Sequence, residues 1–543
     1  LRAARGDAGL ITVDGAGHTR HESYAALAEH ARRLLAILQD RGLAPGARVI
    51  LQLRDPVLHF RAFWACVLGG VIPVTVAIPS DYDLQQAVVR KLVNVWHLLE
   101  RPVVLTEAAL ADGVARVLGP GAPVMLVGET TPGPHGRVHR AQPTDVVFHQ
   151  LTSGSTGTPK CIQETHAGII AHIQSSALAN GYHPGDVTLN WLPFDHVVPT
   201  LTVHLKDVYL GSRQIHVHPD RILAEPLRWL DMLQQHRVTR TWAPNFAFKM
   251  IADAVRRGGA GPWDLACVRT WMNAGEMVTL PALRDFLAAL AASGVTPAAI
   301  QPAFGMAEAC TCMTYNNAFD LDGSALRARV TRAGELRRCG DDPRAAVFID
   351  LGPPTAGVAI RITDDHNTLL PEGHVGRFQI KGPVITPGYL LNDAANAEAF
   401  VGDGWFNTGD RGFILDGRLY LTGREKEVII VRGANFYAYE IEDIVERVDG
   451  VAPTWAAACS WADPDSATEG LAIFFVARTA HDEAAVARRI RGQVAAAFGI
   501  SPSIVLPVAQ DEFPKTTSGK IQRTQLKARL RGEGLAAARR RSE

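Results

Sequence analysis

The stretch QLTSGSTGTPK, residues 150–160, packs glycine, serine and threonine together and closes on a lysine. Small residues let backbone N–H groups approach an anion, the hydroxyls of Ser153, Ser155 and Thr156 can donate, and Lys160 supplies positive charge. That is the make-up of a phosphate-binding loop. It is not the loop of P-loop kinases and ATPases. Counted from Gly154, that pattern needs a second glycine where Pro159 stands and a Mg-binding hydroxyl where Cys161 stands. The G-x-G-x-x-G dinucleotide pattern does not fit either.

The elements that must carry such a loop read as a layered α/β protein. Ser23 is a helix cap ahead of Tyr24, Leu27, Ala31, Leu34, Leu35 and Leu38, which fall at helical spacing and stop at Gly42. ARVILQL (47–53) predicts a strand, VLHFRAFWACVLGG a helix and VIPVTV (71–76) a strand again, the unit of a mostly parallel sheet covered on both sides. Similar alternation runs to about residue 330. Residues 331–382 change to short alternating strands between Gly and Pro turns, as in a small β-subdomain. KEVIIVRG, AYEIEDIVERV, LAIFFVAR and DEAAVARRIRGQVAAAF then predict a strand, helix, strand and helix, enough for a compact α+β domain. The tail AAARRRSE reads as a disordered basic end.

Composition narrows the function classes. The 543 residues are 47% hydrophobic, and Lys+Arg and Asp+Glu each total 55, so no net field favours nucleic acid or an anionic membrane. No apolar run reaches the roughly 20 residues of a membrane helix, and no signal peptide is recognisable. The seven cysteines, without C-x-x-C or zinc spacing, read as reduced thiols of a cytoplasmic protein. A chain beginning at Leu1 rather than Met suggests processing or excision from a longer polypeptide.

Four more stretches follow the glycine-rich loop in order: FGMAEAC (304–310), GWFNTGD (404–410), LTGREKEVIIVRG (421–433) and PKTTSGKIQR (514–523). Together the five resemble the ordered motifs of the adenylate-forming (ANL) superfamily, which includes acyl-CoA synthetases, aryl acid ligases, luciferases and the adenylation domains of assembly lines. The resemblance covers nearly the whole chain. It implies a large N-terminal core, residues 1–425, of layered, mostly parallel sheets plus a β-subdomain, and a small mobile α+β lid, residues 426–543. The implied activity joins a carboxylate to the α-phosphate of ATP, releases pyrophosphate and passes the acyl group to a thiol. Ser153, Gly154, Ser155, Thr156, Gly157 and Lys160 would then grip the β- and γ-phosphates. Glu308 would hold Mg2+, Asp410 the ribose hydroxyls with Arg424 assisting, and Lys520 would bridge carboxylate and α-phosphate. Lys426 matches the hinge and Gly433 the glycine lining the thiol tunnel. Ala307 departs from the threonine that many relatives carry before the glutamate; fatty acyl-AMP ligases tolerate alanine there.

The same resemblance locates the acid. Counting back from Gly211, the aspartate that pairs with an α-ammonium in amino-acid-activating relatives falls on Val197, and His196 matches the histidine that acyl- and aryl-activating members place beside the carboxylate. Asp195 is close enough to blur this count, and a one-residue shift would restore the amino acid reading. A buried ammonium without a carboxylate costs several kcal/mol, so an acid without an ordinary α-amino group is expected. Asn245, Phe246, Asn273, Gly275, Ala303, Thr311 and Cys312 are the other pocket candidates. Trp191, Trp242 and Trp271 could box a cationic group if two faced the pocket, or could all belong to the core. The segments FDHVVPTLTVHLKDVYLG and TWAPNFAF look most like loading adenylation domains of hybrid polyketide/nonribosomal peptide assembly lines, which implies as acceptor the phosphopantetheine of a carrier protein in the same polypeptide. A free-standing acyl- or aryl-CoA ligase and a noncatalytic binding domain are the alternatives.

Overall fold

The computed structural model describes residues 8–532 apart from 130–131, 153–158, 260, 332, 341, 343–344, 432–433, 463–468, 480 and 517–518. Ser23 caps the first long helix, Tyr24–Asp40, by accepting from the Ala26 N–H at 3.1 Å. Asp55 caps the next, Pro56–Gly69, with proline in its first turn and left-handed Gly70 at its end. That helix crosses between the parallel neighbours Arg48–Gln52 and Ile72–Thr75, as the alternation predicts.

Two large sheets form the core. The first runs Val124–Leu126, Val103–Thr106, Arg48–Gln52, Ile72–Thr75, Val146–Leu151, Cys161–Thr165, and only its last pair is antiparallel. That pair is the hairpin whose connection holds the glycine-rich loop. The second runs Cys312–Tyr315, Ile300–Gly305, Thr270–Asn273, Arg240–Ala243, Val187–Asn190, Arg213–Val217, Gly9–Val13, Thr19–Ser23. Its six inner strands are parallel and its two edges antiparallel. Strands such as Val187–Asn190 and Thr270–Asn273 are buried at every residue, as in sheets covered on both faces.

The β-rich region is larger than the expected 331–382. It comprises a three-stranded sheet (Ala325–Val330, Leu336–Arg338, Ala346–Ile349) and a four-stranded sheet (Ala359–Thr363, Gly376–Lys381, Phe406–Leu415, Arg418–Arg424). The motifs ending in Asp410 and Arg424 are thus the arms of a β-hairpin.

From Val451 the chain builds a separate sheet of Val451–Ala462, Glu469–Ala477 and Ile504–Pro507. Its period-two alternation splits the apolar residues cleanly. Ala456, Ala458, Leu471, Ile473 and Phe475 face the helices Ala438–Glu446 and Glu483–Phe498, while Ala457, Cys459, Ala472 and Phe474 pack with Leu526 and Leu530 of the helix Arg523–Gly532. Both clusters draw only on residues from 429 onward.

Candidate active site

Lys520 lies on a tight turn. The Thr516 N–H donates to the Lys520 carbonyl at 2.8 Å, the Gly519 N–H to the Thr516 carbonyl at 2.9 Å, and the Lys520 N–H to the Thr516 hydroxyl at 3.0 Å. The turn reaches across to the second sheet. A Cβ at Gly275, just beyond the strand Thr270–Asn273, would sit 3.4 Å from Lys520 Nζ and 3.6 Å from Trp242 Cζ2, so the ammonium passes over bare backbone. Burial lowers the Lys520 pKa, and the Glu276 carboxylate opposes that effect. His196, Cys312, Asp410 and Arg424 lie near enough to feel its charge.

On one side of Lys520 are the groups suited to a nucleotide. Asp410 and Arg424 stand opposite each other in hairpin register, which puts their side chains on one face. Arg424 Nε is 3.0 Å from Asp410 Oδ1, while Asp410 Oδ2 is buried without a hydrogen-bond partner among the described residues. Burial raises the Asp410 pKa and Arg424 pulls it back. Glu308, on the short turn Ala307–Ala309, accepts a 2.9 Å bond from the Tyr389 hydroxyl. The other side of Tyr389 meets Lys160, whose Nζ is 4.4 Å from the ring centroid. One tyrosine therefore joins the loop lysine to the glutamate. Behind them the Cys310 thiol donates to Glu164 Oε2 at 3.3 Å, and burial, with the charge of Glu308 adding, pushes the Glu164 carboxyl up to about 8.

On the other side is an aromatic, largely apolar wall. The stretch after His196 and Val197 is a π-helix, Pro199–Leu205, which fits an extra residue into its turn. Counting back from Gly211 crosses this insertion, so spacing alone cannot fix the register; position must. Val197 is only 5% exposed and packed in the main core. His196 has Nδ1 buried without a hydrogen-bond partner among the described residues, its ring 6.2 Å from that of Trp242, and burial with the nearby Lys520 charge holds it neutral, with its pKa down to about 3. The Asp195 carbonyl accepts from Gln150 Nε2 at 2.8 Å.

Asn245 opens the helix Asn245–Gly258. Its side-chain Oδ1 accepts from Asn273 Nδ2 at 3.1 Å and the Thr279 N–H at 3.2 Å, and its Nδ2 donates to Thr279 Oγ1, leaving Asn273 Oδ1 buried and unpartnered among the described residues. The Phe246 N–H donates to Glu276 Oε2 at 3.0 Å. Ala303 is buried on the strand Ile300–Gly305 and Cys312 on the adjoining edge strand Cys312–Tyr315. The Thr311 hydroxyl is already engaged, 2.8 Å from both Thr202 Oγ1 and His172 Nε2.

The tryptophans divide. Trp242 stands beside Lys520 and His196, whereas Trp271 packs on Trp229 and Phe286, and Trp191 on Trp229 and Phe246. A two-tryptophan box for a cation is not what this wall presents. Ser153, Gly154, Ser155, Thr156, Gly157 and Gly433 lie outside the described residues, as does the side chain of Lys426. Tyr389 and Glu164 were missed in the sequence because no motif surrounds them; Glu276 directly follows Gly275 and was legible by position. Among the described residues no His/Cys/Asp/Glu cluster of three or more could hold a metal, and no helix is long and apolar enough to cross a membrane.

Residues 2–390 match the model of a family described as AMP-binding enzyme. Among solved structures, the chain is 39% identical to a multidomain keto acid-selecting nonribosomal peptide synthetase (NRPS) module, with a TM-score of 0.93 over 98% of this chain and 45% of that one. It is 33% identical to the A-PCP structure of McyG complexed with phenylalanyl-adenylate, with a TM-score of 0.91 over 99% of this chain and 83% of that one. It is also 30% identical to the nonribosomal peptide synthetase apvA of Aspergillus terreus (strain NIH 2624 / FGSC A1156), over 97% of this chain and 56% of that protein. The chain spans little more than half the length of the curated relatives it matches. A match over most of the chain, on a fold that brings Lys160, Glu308, Asp410 and Lys520 around one cleft, places it in the AMP-binding enzyme family as an adenylate-forming, NRPS-type adenylation domain, a ligase that uses ATP.

Proposed function

We propose that this domain activates an α-keto acid as its acyl-adenylate and hands the acyl group to the phosphopantetheine thiol of a carrier protein. The observation that carries the choice of acid is the wall beside Lys520. Val197 is apolar and buried, and His196 is neutral, so a substrate ammonium would find no carboxylate from either residue. A keto oxygen is an acceptor and needs no counter-ion. The 39% identity to a keto acid-selecting module supports the same class.

In this mechanism a carboxylate oxygen attacks the α-phosphorus, a new C(O)–O–P link forms and the bond to pyrophosphate breaks. Lys520 lies between the two anions and offsets their repulsion. Lys160, with Ser153, Gly154, Ser155, Thr156 and Gly157, holds the departing phosphates. Asp410, with one oxygen on Arg424, offers the other to the ribose hydroxyls. Glu308 suits Mg2+: it is a single carboxylate with one oxygen anchored by Tyr389, and Mg2+ takes its remaining ligands from phosphates and water. When bound, the ion neutralises phosphate charge. The thiol then attacks the acyl carbon and AMP leaves, with residues 426–543 acting as a lid that turns at Lys426.

The test is pyrophosphate release with ATP and Mg2+ from matched trios of α-keto, α-hydroxy and α-amino acids sharing one side chain, with Lys520→Ala as control. Signal from the keto member, lost in the variant, supports the proposal. Signal from the amino member alone overturns the choice of acid, and equal signal from wild type and variant overturns the role of Lys520. Acyl transfer to coenzyme A but to no carrier would overturn the acceptor.

A further inference from the structure

The helix Asn245–Gly258 does more than line the pocket. One turn beyond Phe246, Lys249 projects across to the helix Ala438–Glu446, where its Nζ lies 3.4 Å from Asp443 Oδ1 and 3.0 Å from Glu446 Oε2. Asp443 and Glu446 are three residues apart, hence on one helix face. The three side chains are 21%, 16% and 13% exposed, so this is a largely desolvated junction rather than a surface pair. The two carboxylates favour the charged Lys249, and burial raises the Glu446 carboxyl against its pull. Asp443 has a second cation, Arg447, at 2.6 Å.

The same helix touches the lysine turn. A Cβ at Gly519 would lie 2.8 Å from Phe246 Cζ, and the Phe246 N–H holds Glu276, the carboxylate nearest in effect to Lys520. Phe246 and Lys249, at i and i+3, share a face. This helix thus meets the C-terminal unit at two points, an apolar one under Lys520 and an ionic one a turn away.

We propose that Lys249 is a positioning residue for Lys520: by bridging Asp443 and Glu446 it holds the C-terminal unit where the lysine turn is seated over Gly275. The proposal rests on the adenylation role of Lys520. Removing Lys249 from this desolvated junction takes away the cation on Glu446, while Asp443 keeps Arg447, and this weakens the seated state. The pocket and the nucleotide contacts of the core are untouched.

The experiment is single-turnover acyl-adenylate formation and steady-state pyrophosphate release in full-length wild type, Lys249→Met, the charge swap Lys249→Glu with Glu446→Lys, Lys520→Ala, and Lys249→Met combined with Lys520→Ala. Lys249→Met is expected to lower kcat about tenfold or more, with the KM for ATP and acid nearly unchanged. The swap should recover most of the loss. In the Lys520→Ala background Lys249→Met should have no further effect, because a residue acting only through Lys520 has nothing left to position. If Lys249→Met does not fold, Glu446→Gln tests the same junction from the other side. A Lys249→Met enzyme as fast as wild type overturns the proposal, as does the same fold-loss in both backgrounds. A wild type that forms no adenylate from any acid instead overturns the functional proposal on which this one rests.

Discussion

Gly519→Ala isolates how tightly the lysine turn is seated. Gly519 has φ +83°, a left-handed conformation that costs a non-glycine residue about 1–2 kcal/mol. The added methyl would also lie 2.8 and 2.9 Å from two ring carbons of Phe246. Carbon contacts are comfortable only near 3.5–4.0 Å, and forcing a methyl into such a space costs about 1–3 kcal/mol. Both effects oppose the seated turn, together by about 2–5 kcal/mol, or roughly 30-fold or more in its occupancy. The assay is the single-turnover rate of adenylate formation at saturating ATP and acid, with the melting temperature as a check on folding. Phe246→Leu in the same chain removes the ring tip and should return the steric share. The remaining backbone share leaves the double variant slower than Phe246→Leu alone by about 5- to 30-fold. A Gly519→Ala rate within twofold of wild type refutes the seating, and a double variant no faster than Gly519→Ala refutes the contact with Phe246.

Two further outcomes follow from buried groups. His59, His149, His172, His204 and His216 are buried, and desolvation holds their pKa values down, to about 4 for the first three and about 3 for His204. The unfolded chain binds their protons at the ordinary value near 6.5, so stability is full above that pH and falls as pH drops below it. Each buried neutral histidine costs about 1.4 kcal/mol by pH 5.5. The urea midpoint should fall between pH 7.5 and 5.5, and His59→Phe, at the ring stacked on Phe194, should lessen the fall; an unchanged dependence counts against the desolvation argument. Tyr389→Phe removes the donor to Glu308 and should raise the Mg2+ concentration for half-maximal pyrophosphate release by about 10-fold or more. An unaltered Mg2+ titration would show that Tyr389 does not anchor Glu308 for the ion.

What was legible in the sequence was whatever is decided locally. The cap at Ser23, the crossover from residue 48 to 75 and the amphipathic C-terminal helix each follow from a few neighbouring side chains, and each stands where periodicity predicts. Long-range pairing was not legible. Gly9–Val13 lies beside Arg213–Val217, and nothing in either strand names its partner. The β-region extends past residue 382 because the segments around Asp410 and Arg424, which carry chemistry, also form a hairpin, and the hairpin register is what pairs the two charges. The π-helix explains the ambiguity at residues 195–197, since an extra residue in a turn changes spacing without changing composition. Tyr389 and Glu164 escaped because their roles come from contacts with Lys160, Glu308 and Cys310, which are remote in the chain.

The charges in the cleft also explain how a chain with no net charge can take a polyanion. The attraction has to be local, and Lys160, Arg424 and Lys520 supply it. Set against them are Asp410, Glu276 and Glu164, which at full charge would cancel the field. Burial prevents that. It holds Glu164 near 8, neutral through most of the physiological range, and raises Asp410 and Glu276. Asp410 keeps one oxygen available to orient hydroxyls while Arg424 holds the other. Glu164→Gln should therefore leave nucleotide affinity nearly intact at pH 7, because it replaces a group that is already mostly uncharged, whereas affinity in the wild type alone should weaken as pH rises through 8. Equal pH dependence in the two proteins would show that Glu164 carries its charge throughout.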